Sequence, residues 1–172
     1  MTTLKMLPIL EQAELLLPTF LKSLDGWKSL DVDYLPPRVE RLYRNFGQGR
    51  LYLHRIYPCT QSFYHPHPWP SAIKIVSGSY LMELGYGASR EEAAIASTLV
   101  LEAGSYYEMA HPKGWHSVNP IEGPSLSVMV TDVPWAFPVE PDAKPDKELE
   151  PLELDVAEDL LEEFQLYYPE DM

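Results

Sequence analysis

The sequence predicts an all-β barrel or sandwich carrying a helical extension at each end. Three observations support this. From Arg38 to Val133 short β-type runs alternate with Gly, Pro, Asn or Ser turns. Residues 9–24 repeat apolar side chains at helical spacing, and residues 152–168 do so again in a strongly acidic background.

In the first helical segment the apolar set is Ile9, Leu10, Ala13, Leu16 and Leu17, then Phe20, Leu21 and Leu24. Pro18 lacks an amide proton, so it is expected either to open a second short helix or to kink the first. Asp25-Gly26 ends the segment, and residues 31–37 (DVDYLPP) read as an extended connector. Strands are expected over Val39–Asn45 and Leu51–Tyr57, joined by Gly47-Gln48-Gly49. Further strands are expected at Ala72–Val76, Tyr80–Leu84, Thr98–Leu101, Ser105–Met109 and Leu126–Thr131, with residues 85–97 as a polar loop. Pro134–Pro151 is a Pro- and charge-rich tail, and Val156, Leu160, Leu161 and Phe164 form the stripe of the final helix. The expected organisation is an N-terminal extension over 1–37, a barrel over 38–133 and a tail with its helix over 134–172, together one domain.

Composition narrows the function. Hydrophobic residues make up 45% and charged residues 23%, which fits a globular, soluble chain. A net charge of -13 repels phosphate backbones and argues against nucleic acid as a partner. No apolar run approaches the roughly 20 residues of a membrane span. Glu11 and Glu14 interrupt the N-terminal apolar stretch, so it reads as mature protein and not as a signal peptide. Cys59 is the only cysteine, which excludes an intramolecular disulfide and fits a cytoplasmic location.

The stretch Tyr64–Pro70, YHPHPWP, carries the chemistry. His65, His67 and Trp69 each precede a proline, which pushes all three toward extended backbone. Residues two apart on a strand share a face, so these side chains are expected on one side and the prolines on the other. Prolines confine such a segment to an edge, a bulge or a strand entry. Two imidazoles on one face are half of a metal site, and the rest must come from elsewhere. His116, after the turn Pro112-Lys113-Gly114, is the expected third ligand. His54 reads as a packed or surface histidine. His111 stays open between a ligand in place of His116, an outer hydrogen-bond donor and no role.

The run from His65 to Gly78, HPHPWPSAIKIVSG, resembles the first motif of the cupin superfamily, His-X-His followed by Glu and Gly. Ser71 stands in the Glu slot, and Cys59 stands where an earlier glycine is usual. Pro112–Asn119 resembles the second motif, with both spacers after the glycine one residue shorter. The resemblance covers about residues 38–132 and implies a cupin double-stranded β-helix, or jelly-roll barrel, of the RmlC-like kind. Without the Glu, the ligand set His65, His67 and His116 looks like the iron site of the thiol dioxygenases, the branch that includes cysteine dioxygenase.

Tyr43-Arg44-Asn45 resembles the stretch that carries the substrate-carboxylate arginine of that branch, so Arg44 is the expected anchor, with Arg50 and Arg55 as competitors. Tyr64, Tyr80, Tyr106 and Tyr107 are the phenols available near a metal, and Tyr106 is expected to act with Arg44 in catalysis. The branch's late-strand Ser-X-His-X-Tyr pattern has no counterpart in Ser127–Val133, and Ser71 fills the slot of its cross-linking cysteine. The resemblance implies Fe(II), with zinc, nickel and manganese as alternatives, a small organic substrate and a homodimer. The readings left open are an iron dioxygenase, another metal-dependent isomerase or hydrolase, a non-catalytic binding protein, and a metal-free epimerase-like enzyme. The last wants a His-Asp pair and a tyrosine acid that the sequence does not point to.

Overall fold

The computed structural model describes residues 5–170. Two helices, α1 (Leu7–Phe20) and α2 (Leu154–Gln165), bracket ten strands. In chain order these are β1 (Lys28–Val32), β2 (Val39–Phe46), β3 (Gly49–Ile56), β4 (His65–Pro66) and β5 (Ser71–Ser77). They continue with β6 (Ser79–Tyr86), β7 (Ile95–Glu102), β8 (Tyr106–Met109), β9 (Gly114–Pro120) and β10 (Ser125–Thr131).

All pairings are antiparallel and form two sheets, one in the order β1-β2-β3-β10-β5-β8 and one in the order β4-β9-β6-β7. The eight strands from β3 to β10 divide between the sheets as β3-β10-β5-β8 and β4-β9-β6-β7, the order of a jelly roll, the cupin double-stranded β-helix. The hairpin β1–β2 widens the larger sheet. β1 falls where the sequence suggests an extended connector from residue 31; Lys28–Val32 instead pairs along its whole length with β2.

Alternation along the strands decides what each face meets. On β3, Leu51 and Leu53 pack outward against the helices, while Tyr52, His54 and Ile56 turn into the barrel. On β10, Leu126, Val128 and Val130 join the helix-side core, while Ser127 and Met129 turn inward. Every residue of β10 is buried because both of its faces are covered. The helix-side core joins Leu10, Ala13 and Leu17 of α1 with Ala157, Leu160 and Phe164 of α2. Ile56, Ile75, Tyr80, Met82 and Val118 fill the space between the sheets.

Specific polar contacts fix the extensions. The Glu108 carboxylate on β8 accepts the backbone N–H groups of Met6 at 2.6 Å and Leu7 at 2.8 Å, satisfying donors that a helix N-terminus leaves free. α1 runs through Pro18 to Phe20 as one helix, with the proline in its last turn. Arg55 on the outer face of β3 reaches Glu40 at 2.6 Å, Asp159 at 2.7 Å and Glu163 at 2.8 Å, tying α2 to the sheet. No helix among the described residues is long and apolar enough to cross a membrane.

Candidate metal centre

β4 lies at an edge of the smaller sheet and is two residues long, as its prolines require. Its ladder with β9 sets His65 directly opposite His116. His67, two residues on, brings its ring centroid to 4.6 Å from that of His116. One ligand atom from each of the three rings lies within 4.8 Å of the others. Trp69 joins His65 and His67 on the wall of one cavity. Pro66 and Pro68 touch that cavity too, so the expected separation of rings from prolines is incomplete.

The outer nitrogens are held. His65 Nδ1–H donates to the Phe63 carbonyl at 3.0 Å, which leaves its Nε2 lone pair bare when the ring is neutral. His67 Nδ1 lies 2.9 Å from the Ser71 hydroxyl, so the serine in the motif's Glu slot orients this ring instead of supplying a fourth ligand. His116 Nδ1 lies 3.4 Å from the Tyr107 hydroxyl, and Tyr80 Oη–H donates to Tyr107 Oη at 2.9 Å. Burial pushes both phenols up, so they remain protonated at neutral pH.

Burial also holds all three imidazoles below their ordinary range, His67 to about 3, so they stay neutral and able to ligate. The Nε2 atoms of His67 and His116 are 2.9 Å apart. Two nitrogens about 2.05 Å from one ion at a right angle are about 2.9 Å apart, so the spacing fits adjacent positions on a divalent cation. The site therefore fits a divalent metal held by nitrogen alone.

The cluster opens on a cavity of about 350 Å3. The wall opposite belongs to the larger sheet and carries Arg41, His54 and Ser127. Tyr34–Pro37 and the tail residues Pro141, Pro145 and Leu149 complete the lining. A separate depression of about 450 Å3, lined by Glu83, Arg90 and Asn119 among others, contains none of the clustered histidines.

The other candidates stand elsewhere. Arg44 is on the helix side of β2, with its guanidinium 3.8 Å from the Phe20 ring centroid and 5.3 Å from that of Trp27, and it does not line the cavity. The reason is parity: Leu42 and Arg44 share the outer face, while Arg41 takes the inner one. Arg50 and Arg55 also lie outside the cavity lining. Tyr106 is 53% exposed and faces away; its neighbour Tyr107 is the tyrosine of β8 in the site. His111 is exposed, and its Nδ1 accepts the Lys113 amide in the turn before β9. His54, read from sequence as packed or at the surface, lines the cavity and accepts a hydrogen bond from Arg41 Nε at 3.0 Å. Its signal was available in the alternation Tyr52-His54-Ile56, which sets it on the inner face with two large buried side chains.

No protein-family model and no curated protein matches this sequence. Similar solved structures include hydroxypropylphosphonic acid epoxidase from S. wedmorenis, at 13% identity over 64% of this chain and 57% of that chain, with a TM-score of 0.49. KdgF from Halomonas sp. is similar at 17% identity over 62% of this chain and 87% of that one, with a TM-score of 0.46. A structure of the DMSP lyases RdDddP and RnDddQII is similar at 21% identity, covering 49% and 38%, with a TM-score of 0.39. The match spans little more than half of the epoxidase, and the fold assignment rests on the strand order given above.

Proposed function

We propose that this chain is a metal-dependent oxygenase in which His65, His67 and His116 hold one Fe(II) ion and a small organic substrate occupies the adjoining cavity. The observation that carries this reading is the all-imidazole cluster: three neutral rings, no carboxylate among them, at the wall of a cavity. Such a set leaves a divalent ion its full charge and open positions. When bound, the ion supplies Lewis-acid polarisation and, as iron, redox chemistry with dioxygen.

The chain's own residues prepare that chemistry. The Phe63 carbonyl and the Ser71 hydroxyl fix the rings of His65 and His67. Tyr107 keeps its proton and presents a hydroxyl beside His116, within reach of a group bound at the cluster. Ile73, Met129 and the prolines at the mouth give the cavity apolar walls. Within cupins, the missing carboxylate favours a thiol dioxygenase-like site that departs from that branch in two places: Ser71 stands in the slot of the cross-linking cysteine, and the phenol comes from β8 instead of the last strand.

The same reading takes the protein as a cytoplasmic homodimer. The sole cysteine, Cys59, is a free thiol, and β7 leaves one edge of the smaller sheet open with nearly all of its residues exposed.

Metal analysis after purification without added metal, followed by oxygen uptake of the iron-loaded protein with thiols, diketones and small aromatic acids, tests the proposal. One iron per chain and oxygen consumption that disappears in His116→Ala are expected. Failure to hold iron, or full iron loading with no oxygen uptake on any of these substrates, overturns it. Stable zinc or manganese without oxygen chemistry would favour another metal-dependent enzyme or a binding protein.

A further inference from the structure

We infer that the depression on the outer face of the smaller sheet is a second ligand site, and that it takes a small zwitterion whose ammonium group sits on Glu83 and whose carboxylate sits on Arg90. The site lies across the sheet from the histidine cluster. On β9, His116 faces the metal cavity, and the next residue, Ser117, faces the depression.

Strand parity builds the floor. Tyr80 and Met82 of β6 and Val118 of β9 turn into the barrel. Leu81 and Glu83 therefore face outward, paired with Asn119 and Ser117. Two loops form the walls, and both are pinned. Asn119 accepts the Cys59 amide at 3.0 Å and donates to the Cys59 carbonyl at 2.8 Å. On the other side, Tyr64 Oη–H donates to the Ala93 carbonyl at 2.7 Å, and Trp115 Nε1–H donates to the Gly87 carbonyl at 3.0 Å. Glycine at position 85 permits that approach, because a Cβ there would collide with the Tyr64 hydroxyl and the Ala93 carbonyl. The result is a preformed pocket of about 450 Å3, within the size range of small-molecule sites.

The charges in it select the ligand class. The half-buried Glu83 carboxylate accepts the Ser117 hydroxyl at 2.9 Å and forms no ion pair among the described residues. Arg90 lines the same pocket but turns one nitrogen, Nη1, to Asp142 at 3.2 Å; its other donors have no partner among the described residues. Burial raises the Tyr64 phenol, Glu83 adds to that rise and Arg90 opposes it, so both charges act on one hydroxyl. Glu83 and Arg90 thus share a pocket without pairing to each other. A simple amine would satisfy Glu83 and be repelled by Arg90, and a simple acid would meet the reverse. A molecule carrying both charges satisfies both residues, with the arginine fork taking its carboxylate. Leu81, Ala94 and Ile95 give the pocket an apolar side for the methylenes between the two charges.

The test titrates β-alanine, 4-aminobutanoate and 6-aminohexanoate, alongside butylamine and butanoate, by calorimetry into wild type, Glu83→Gln, Arg90→Gln and His116→Ala. The three zwitterions bracket the separation of the two charges. The best of them should bind at least tenfold more tightly than butylamine or butanoate. Each pocket variant should lose at least tenfold for that ligand. Selectivity should also collapse in a set direction: Glu83→Gln should no longer prefer the zwitterion to butanoate, and Arg90→Gln should no longer prefer it to butylamine. A merely structural loss would weaken all ligands alike. His116→Ala should match wild type, which separates this site from any binding at the metal cluster. If Glu83→Gln fails to fold, the exposed Arg90 still carries the test through Arg90→Gln. No zwitterion binding, amine or acid binding equal to that of the best zwitterion, wild-type affinity in either pocket variant, or binding lost in His116→Ala overturns the inference.

Discussion

His67 and His116 lie 49 residues apart in the chain, yet their Nε2 atoms are 2.9 Å apart. The ladder between β4 and β9 brings them together by pairing His65 with His116 and leaving His67 just beyond the last paired residue. Two nitrogen lone pairs at that distance cannot both stay bare. Either one ring places a proton between them or a cation does.

Replacing His116 by Ala should therefore reduce metal content from one ion per chain to near zero with the fold retained. A metal present at about a hundred times its dissociation constant stabilises a folded protein by about 2.7 kcal/mol. Adding the metal should raise the melting temperature of wild type, and it should leave His116→Ala unmoved. A variant that still gains thermal stability from metal would show that the ion binds elsewhere.

Ser71 is fully buried and touches no metal position, yet it should matter for affinity. Its hydroxyl orients His67 through Nδ1. Losing a partner of this kind typically weakens metal binding about 10- to 100-fold. Ser71→Ala should show that loss in a competition titration with a chelating dye, at unchanged circular dichroism. Wild-type affinity would leave Ser71 a packing residue only.

Stability should fall in mild acid. Burial depresses His54, His65, His67 and His116, whereas in the unfolded chain each titrates near the ordinary imidazole value of about 6.5. Below 6.5 the unfolded state binds more protons than the folded one, so stability rises with pH across that window. The urea midpoint of metal-free protein should be flat above about pH 7 and drop as pH falls through the unfolded value, continuing toward the folded value of about 3 for His67. A midpoint constant between about pH 7 and about pH 5 would mean that the rings are hydrated.

The C-terminal helix is part of the core. Phe164 is fully buried against the outer face of the larger sheet. Phe164→Ala should cost about 3–5 kcal/mol in urea unfolding. A loss below about 1 kcal/mol would show that α2 is an appendage whose removal the barrel tolerates.

Alternating side chains and turn residues by themselves determined most of the strands, β1 excepted, because a period of two needs only neighbours in sequence to be visible. The prolines after His65 and His67 set an extended backbone, and the turn Pro112-Lys113-Gly114 pointed to His116, so the three-histidine cluster was legible too. Tertiary structure alone decided which face of each strand meets the cavity. Arg44 and Arg41 differ by an odd number of residues on β2, and the pairing of β2 with β3 sends the first to Phe20 and the second to His54. The same holds for Tyr106 and Tyr107 on β8, and for Ser127, whose row with Arg41 and His54 crosses three strands. β1 and the return of Pro141 and Pro145 to the cavity likewise depend on partners distant in the chain. A shift of one residue in any ladder would exchange the faces, and register is fixed by the packing of the whole barrel, to which no single strand's sequence has access.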